Sequence, residues 1–380
     1  MIIILLISIV VCMAAWQIGY FLLWKKEFFV TLSFGQPYVY AGEDAELIEV
    51  VENHKKLPVS PVEIGFRMRK GILFKDMENA SVSDFVYKRD IFSLLGNQRI
   101  IRKLNVQCQK RGRYEIKEVS ISTFSLLHER KYSMEQQTDT RLYVYAKRTD
   151  VTAILRAVEN LLGERESKRK YLEDPFLFAA IRNYTIQDPM KNINWKASAK
   201  TGELMVNTYA SLENEKMMLY LDVEDRGILK KEHLIEDSIS VAASLFQKLL
   251  AKGIEVGICM NLKAGNRENE NRESKKQEQT SFFAFQPSRK RETRILLEQK
   301  LAEEWEEKEV LPFEKLMECS FGDAIPVIIS KNFSEKKKQQ IEEFIGSGTK
   351  GIWVIPYEKG EMPQIASDRF TVVKREVDEV

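Results

Sequence analysis

Met217–Val223, MMLYLDV, is followed after a short polar interval by Lys231–Lys252, KEHLIEDSISVAASLFQKLLAK, and then by Ile254–Leu262, IEVGICMNL. The first and last runs are almost continuously apolar over the length of a strand, the pattern of strands buried on both faces. Between them Ile235, Ile239, Ala242, Phe246 and Leu249 recur at helical spacing, and Gly253 supplies a stop. Strand, helix and parallel strand in this order predict a sheet covered by helices.

Downstream the alternation continues. Ser281–Phe285 reads as a short strand, Arg289–Lys308 as a helix, Ile325–Ser330 as a strand, Glu335–Ile345 as a helix and Gly351–Tyr357 as a strand. Asn266–Gln279, NRENENRESKKQEQ, has no aliphatic or aromatic residue and reads as a loop or insertion. Residues 217–380 are therefore expected to form one α/β domain with a mostly parallel sheet.

Upstream the period changes. Residues 148–216 read as a connector that begins with a helix, with Leu155, Val158, Leu161 and Leu162 on one face and the charged run Glu164–Lys170 as its solvated end. From Phe28 to Lys147 apolar residues alternate with polar ones, as in Leu104, Val106 and Cys108 against Lys103, Asn105 and Gln107. With turn signals at Gly42-Glu43-Asp44 and Asn53-His54, this predicts an immunoglobulin-like β-sandwich over 28–147.

Residues 1–24 carry no charged side chain. As a helix they would extend roughly 36 Å, enough for a hydrocarbon core of about 30 Å, so a transmembrane helix is expected. A signal peptide is the rival reading, but no basic segment precedes the apolar run. Lys25 and Lys26 follow it directly and place the remainder on the cytoplasmic side of the cell membrane, in a single-pass topology. Trp16, Tyr20 and Trp24 gather toward the same end, where amphipathic rings favour the headgroup layer. The 58 basic and 56 acidic residues nearly cancel, which argues against a strongly basic nucleic-acid binder. Cys12 falls in the span, leaving Cys108, Cys259 and Cys319 without disulfide or zinc spacing.

A second stretch, Ile181–Lys200, IRNYTIQDPMKNINWKASAK, carries a resemblance. Arg182, Tyr184, Asp188, Ile193, Trp195 and Ala199 match the core motif of the bacterial domain of unknown function 58 family, with Gln187 in place of its usual Gly and Lys200 in place of its usual Arg. Lys110-Arg111-Gly112-Arg113-Tyr114 looks like the family's upstream element, and Met217–Val223 like its following strand. The resemblance implies a von Willebrand factor A-like C-terminal part, a MoxR-type AAA+ ATPase as partner, and client proteins it does not identify. Two readings of the block stand. The commoner arrangement is structural, with Trp195 anchoring a core, Ile193 and Trp195 sharing a strand face, and Arg182 bracing Asp188. The other makes Arg182, Tyr184, Asp188, Trp195, Lys196 and Lys200 a docking surface or anion site.

A metal site of the related fold begins Asp-any-Ser-any-Ser, because a carboxylate and two hydroxyls give Mg²⁺ hard oxygen ligands. Here those three positions are Asp222, Glu224 and Arg226. The Arg226 cation stands where a hydroxyl belongs, so neither Mg²⁺ nor any other cofactor is expected. His54, His128 and His233 adjoin no motif, and no phosphate-binding glycine loop is present. The sequence thus favours a non-enzymatic, membrane-anchored adaptor that docks on proteins. An envelope-associated hydrolase with its site between the soluble domains, or an outward-facing metal-dependent adhesion protein, are the alternatives.

Overall fold

A computed structural model of the protein describes all residues except 1, 25, 77, 125–130, 170–177, 187, 189, 210–214, 226–228, 264–281, 304–308, 320, 347–349 and 379–380. Lys25, His128, Gln187, Arg226 and the polar stretch 266–279 therefore lie outside the described residues. The chain divides into two compact units, Met1–Arg148 with Ile295–Glu307, and Thr149–Arg294 with Lys308–Val380.

The first unit opens with helix α1 (Ile2–Leu23), in which Ile3–Phe21 has a mean hydropathy of 2.2. By length and composition it can cross a membrane, as an anchor or a signal sequence would. There follow β1 (Phe28–Phe34), β2 (Tyr38–Tyr40), β3 (Asp44–Asn53), β4 (Val59–Arg69), β5 (Ile72–Phe74), β6 (Ala80–Val82), β7 (Phe85–Leu94), β8 (Gln98–Cys108), β9 (Gly112–Phe124) and β10 (Lys131–Tyr145). They form a four-stranded sheet in the order β1-β3-β8-β5 and a six-stranded sheet in the order β2-β10-β9-β4-β7-β6.

The alternation sends Leu47, Val51, Leu104 and Val106 from the first sheet, and Val62, Ile64, Met68 and Ile121 from the second, into one apolar cluster. The two sheets are thus stacked as a β-sandwich. Trp24 belongs to that cluster, which corrects its expected place in a headgroup belt. Lys55 donates to the carbonyls of Leu23 (3.0 Å) and Trp24, capping the C-terminal end of α1. The Lys110–Tyr114 element is a local lock. The Tyr114 hydroxyl folds back to donate to Lys110 O at 2.8 Å, and a Cβ on Gly71 would lie 2.1 Å from that hydroxyl.

The second unit begins with α2 (Thr152–Arg169), whose Ile154, Val158 and Leu161 are buried. The helix packs on β17 (Gly351–Glu358) and β18 (Phe370–Val377), so it is part of the α/β unit and not a free connector. Then come β11 (Phe178–Asn183), α3 (Trp195–Thr201) and β12 (Met205–Tyr209), with β11 and β12 paired in a small antiparallel sheet.

The remaining elements are β13 (Lys216–Leu221), α4 (Glu232–Ala251), β14 (Glu255–Lys263), β15 (Phe282–Ser288), α5 (Arg291–Ala302), α6 (Phe313–Met317), β16 (Ile325–Ile329) and α7 (Glu335–Ile345). From Ile295 onward α5 groups with the first unit. The six-stranded sheet runs β15-β14-β13-β16-β17-β18, parallel throughout except for the antiparallel edge β15. Ile239, Ala242, Phe246 and Leu249 of α4 are buried, as their spacing predicts. On this order the strand carboxyl ends beside β13 are where open α/β sheets place ligands.

Candidate functional site

The Ile181–Lys200 block folds between β11 and β12 as a small unit with its own bonds. Tyr184 N–H donates to Leu204 O (2.8 Å) and Asn194 N–H to Met205 O (2.8 Å), tying both ends of the block to the β12 side. Ile193 and Val206, both buried, bridge across it. Arg182 makes a two-pronged contact with Asp188, Nη1 to Oδ2 at 2.7 Å and Nη2 to Oδ1 at 2.6 Å. Asp188 Oδ2 also accepts from Thr185 N–H (2.8 Å) and Oγ1 (2.7 Å). These bonds, that from Arg182 foremost, hold the Asp188 carboxyl well below the usual carboxylate range.

The bracing role expected for Arg182 and Asp188 is therefore seen, but the expected burial of Trp195 is not. Asn194 accepts from Ala197 N–H at 3.0 Å and caps a helix, so the extended run ends at Ile193 and Trp195 becomes the first residue of α3. Its side chain is 68% exposed. Ile186 is 97% and Met190 74% exposed on the same small unit, with Lys191, Lys196 and Lys200 also on the surface. Tyr184 is half-buried. The signal for the helix was present in the sequence: Asn194 and Gly202, the left-handed C-cap, bracket an alanine-containing heptapeptide.

At the carboxyl end of β13, Asp222 is fully buried and its carboxylate is saturated by protein donors. Oδ1 accepts from Asn261 Nδ2 (2.8 Å) and Glu224 N–H (3.0 Å); Oδ2 accepts from Ser330 Oγ (2.7 Å) and from the Lys337 ammonium. An ionised carboxylate has about four lone-pair sites, and all are used. Lys337 is itself buried, its Nζ 4.0 Å above the Phe313 ring and 3.3 Å from Ser330 Oγ. A fixed cation does stand against Asp222, supplied by Lys337 of α7; Arg226, to which the sequence pointed, lies outside the described residues. The Asp222 carboxylate does not fit Mg²⁺ as it stands, because a divalent ion would have to compete with Lys337 and three neutral donors. Among the described residues no group of three His, Cys, Asp or Glu side chains has metal-holding geometry.

Neighbouring carboxylates on this edge are likewise occupied. Asp225 pairs with Lys331 at 2.7 Å, and Lys231 pairs with Glu358 and Glu361, each at 2.8 Å. The Lys231 contact holds the Glu358 carboxyl below its ordinary value. His233 Nε2 lies 3.1 Å from Glu358, and His54 pairs with Glu52 in the other unit.

No protein-family model and no curated protein matches the chain. Solved structures resemble about a third of it. The CARDB domain of a Pyrococcus furiosus protein, in complex with di-metal ions, is 17% identical, covers 31% of this chain and 96% of its own, and has a TM-score of 0.18. A non-cellulosomal cohesin from Archaeoglobus fulgidus is 10% identical, with coverages of 33% and 96% and a TM-score of 0.21. A beta-glucosidase from Listeria innocua is 14% identical, covering 31% of this chain but 16% of its own, with a TM-score of 0.18. At such scores these likenesses carry no argument about fold or function.

Proposed function

We propose that the protein is a membrane-anchored, non-enzymatic interaction adaptor of the domain of unknown function 58 family. Its first unit is an immunoglobulin-like spacer and its second a von Willebrand factor A-like head on the cytoplasmic side. Its partner is a MoxR-type AAA+ ATPase, with which it acts in assembly or maturation of protein complexes. The family resemblance of the Arg182–Lys200 block supplies the partner; the exposure of Trp195 is the observation that carries the docking role.

A Trp exposed at a helix start, on the same small unit as exposed Ile186 and Met190, costs solvation in the free chain. Large aromatics of this kind are the residues that dominate protein interfaces once covered. The block beneath them is held by the Arg182–Asp188 clamp and the Asn194 cap, so little ordering is left for binding to oppose. Lys191, Lys196 and Lys200 favour an acidic partner surface.

The strand order with one antiparallel edge supports the von Willebrand factor A-like reading, and the Asp222–Lys337 pair favours an adaptor over metal-dependent adhesion. Trp24 in the sandwich core favours a retained anchor over a cleaved signal, since cleavage before it would open the core.

A photo-crosslinking residue in place of Trp195, in cells that also express a MoxR-type ATPase, is expected to trap that ATPase. The same residue in place of Gln109, on the other unit, is expected not to. Equal labelling from both positions, or from neither, would overturn the assignment.

A further inference from the structure

We propose that the end of the sandwich from which α1 emerges is itself a membrane-contacting surface, in which Phe29, Leu57 and Leu95 enter the headgroup layer and Lys26 and Lys56 meet anionic lipid. This rests on the reading of α1 as a membrane anchor and adds a second, peripheral contact to it.

Two loops make the surface, and both are built rigidly. Asn53, fully buried at the end of β3, donates from Nδ2 to Leu57 O (3.0 Å) and Leu95 O (2.8 Å), joining the β3–β4 and β7–β8 loops. Asn97 N–H donates to Lys55 O at 2.7 Å, and a Cβ on Gly96 would lie 2.1 Å from Lys56 O, so the loops approach as closely as glycine permits. His54 N–H donates to Glu27 O at 3.0 Å, adding the segment that follows α1. Lys55 then fixes the assembly to the last carbonyls of the helix.

On this well-bonded platform Leu57 is 56% and Leu95 70% exposed, and Phe29 of β1, whose ring meets His54 edge-on at 5.8 Å, is 52% exposed at the same end. Loops so constrained do not expose large apolar side chains for want of a better conformation. Their position selects the occupant. They surround the point where the apolar helix ends, with Lys55 touching the helix itself, so a spanning α1 brings them to the bilayer surface. Exposed Lys26 and Lys56 flank them with the charge that anionic headgroups attract, and apolar tips beside basic residues are the composition of interfacial membrane contacts. A protein partner would have to compete with lipid for the same narrow collar.

The test uses the full chain reconstituted in phosphatidylcholine vesicles with and without phosphatidylglycerol, carrying an encoded environment-sensitive fluorescent amino acid at one position. Reporters replace Leu57 or Leu95, Gln109 at the far end of the sandwich, and Ile9 within α1. Emission at 57 and 95 is expected to be blue-shifted on the vesicles and reduced by lipids bearing a shallow doxyl quencher, and emission at 109 to show neither effect. Lys26→Gln with Lys56→Gln is expected to weaken quenching at 57 and 95 only where phosphatidylglycerol is present. Quenching at Ile9 by a deep quencher with water-like emission at 57 and 95 would overturn the proposal and spare the anchor. An unquenched Ile9 would remove both, and quenching at 57 and 95 indifferent to the lysine substitutions would remove the role given to charge.

Discussion

Glu49 sits in β3 between the buried side chains of Leu47 and Val51 and points into the sandwich. Neither carboxylate oxygen has a hydrogen-bond partner among the described residues. Burial first, and the Asp90 charge second, push its carboxyl from 4.5 up to about 7. Because the folded chain then holds the proton to higher pH than the unfolded chain, stability falls as pH rises from about 4.5 to about 7 and stays at the lower level above. A shift of this size corresponds to about 3 kcal/mol. Urea melts on the acid and alkaline sides of that window are expected to show the fall in the native chain and a flatter profile in Glu49→Gln. A native profile that rises through the window would show that Glu49 is ionised and paired. Such a residue is hard to find from sequence, since Glu49 occupies an inward position in a strand whose other acidic residues, Asp44, Glu46 and Glu52, take the outward positions. What the alternation did disclose was the core around it.

At the scale of elements, β13, β14, β16, β17, α4 and α7 lie within a few residues of the ranges read from periodicity, because buried parallel strands and amphipathic helices impose strong patterns. The elements that were not foreseen have weak ones. Edge strand β18 mixes Lys374, Arg375 and Glu376 with valines, and α3 is too short to show a period, with no buried side chain of its own. Trp195 was misplaced for that reason: an alternating Ile-Asn-Trp looks like a strand unless Asn194 is read as a cap. The Asp222 partner was beyond local reading altogether, since Lys337 lies 115 residues away and reaches the carboxylate only when α7 packs against the sheet. The lysines in the first turn of α7, Lys336 to Lys338, oppose the helix dipole, and for Lys337 the ion pair with Asp222 offsets that cost. Lys337→Ala is expected to destabilise the chain by about 3–5 kcal/mol by leaving a buried carboxylate unpaired. Asp222→Asn combined with Lys337→Met is expected to recover part of that loss. Denaturant melts check both, and a Lys337→Ala chain of native stability would mean that the pair is not formed.

The whole molecule joins a helix able to span a membrane, a sandwich whose core includes the residue following that helix, and an α/β unit that carries a braced block with Trp195 exposed on it. The resemblance and the lysines after α1 carry the proposal that both units lie in the cytoplasm, on the side of the proposed ATPase partner. Protease added to intact cells is expected to leave residues beyond Phe28 uncut, and to cut them once the membrane is opened; digestion from outside would reverse the topology. Everything in the proposed docking role depends on Trp195 being a contact and not a packing anchor. Its direct test is the affinity of the full chain, held in lipid nanodiscs, for a MoxR-type ATPase, with unfolding measured on the same samples. Trp195→Ala is expected to weaken binding roughly thirtyfold, about 2 kcal/mol, the scale of a central aromatic contact. Its stability should stay within about 0.5 kcal/mol of the native chain, as for an exposed residue. Native affinity in Trp195→Ala, or a loss of about 3–5 kcal/mol in its stability, the cost of emptying a core aromatic site, would mean that Trp195 is not the docking contact.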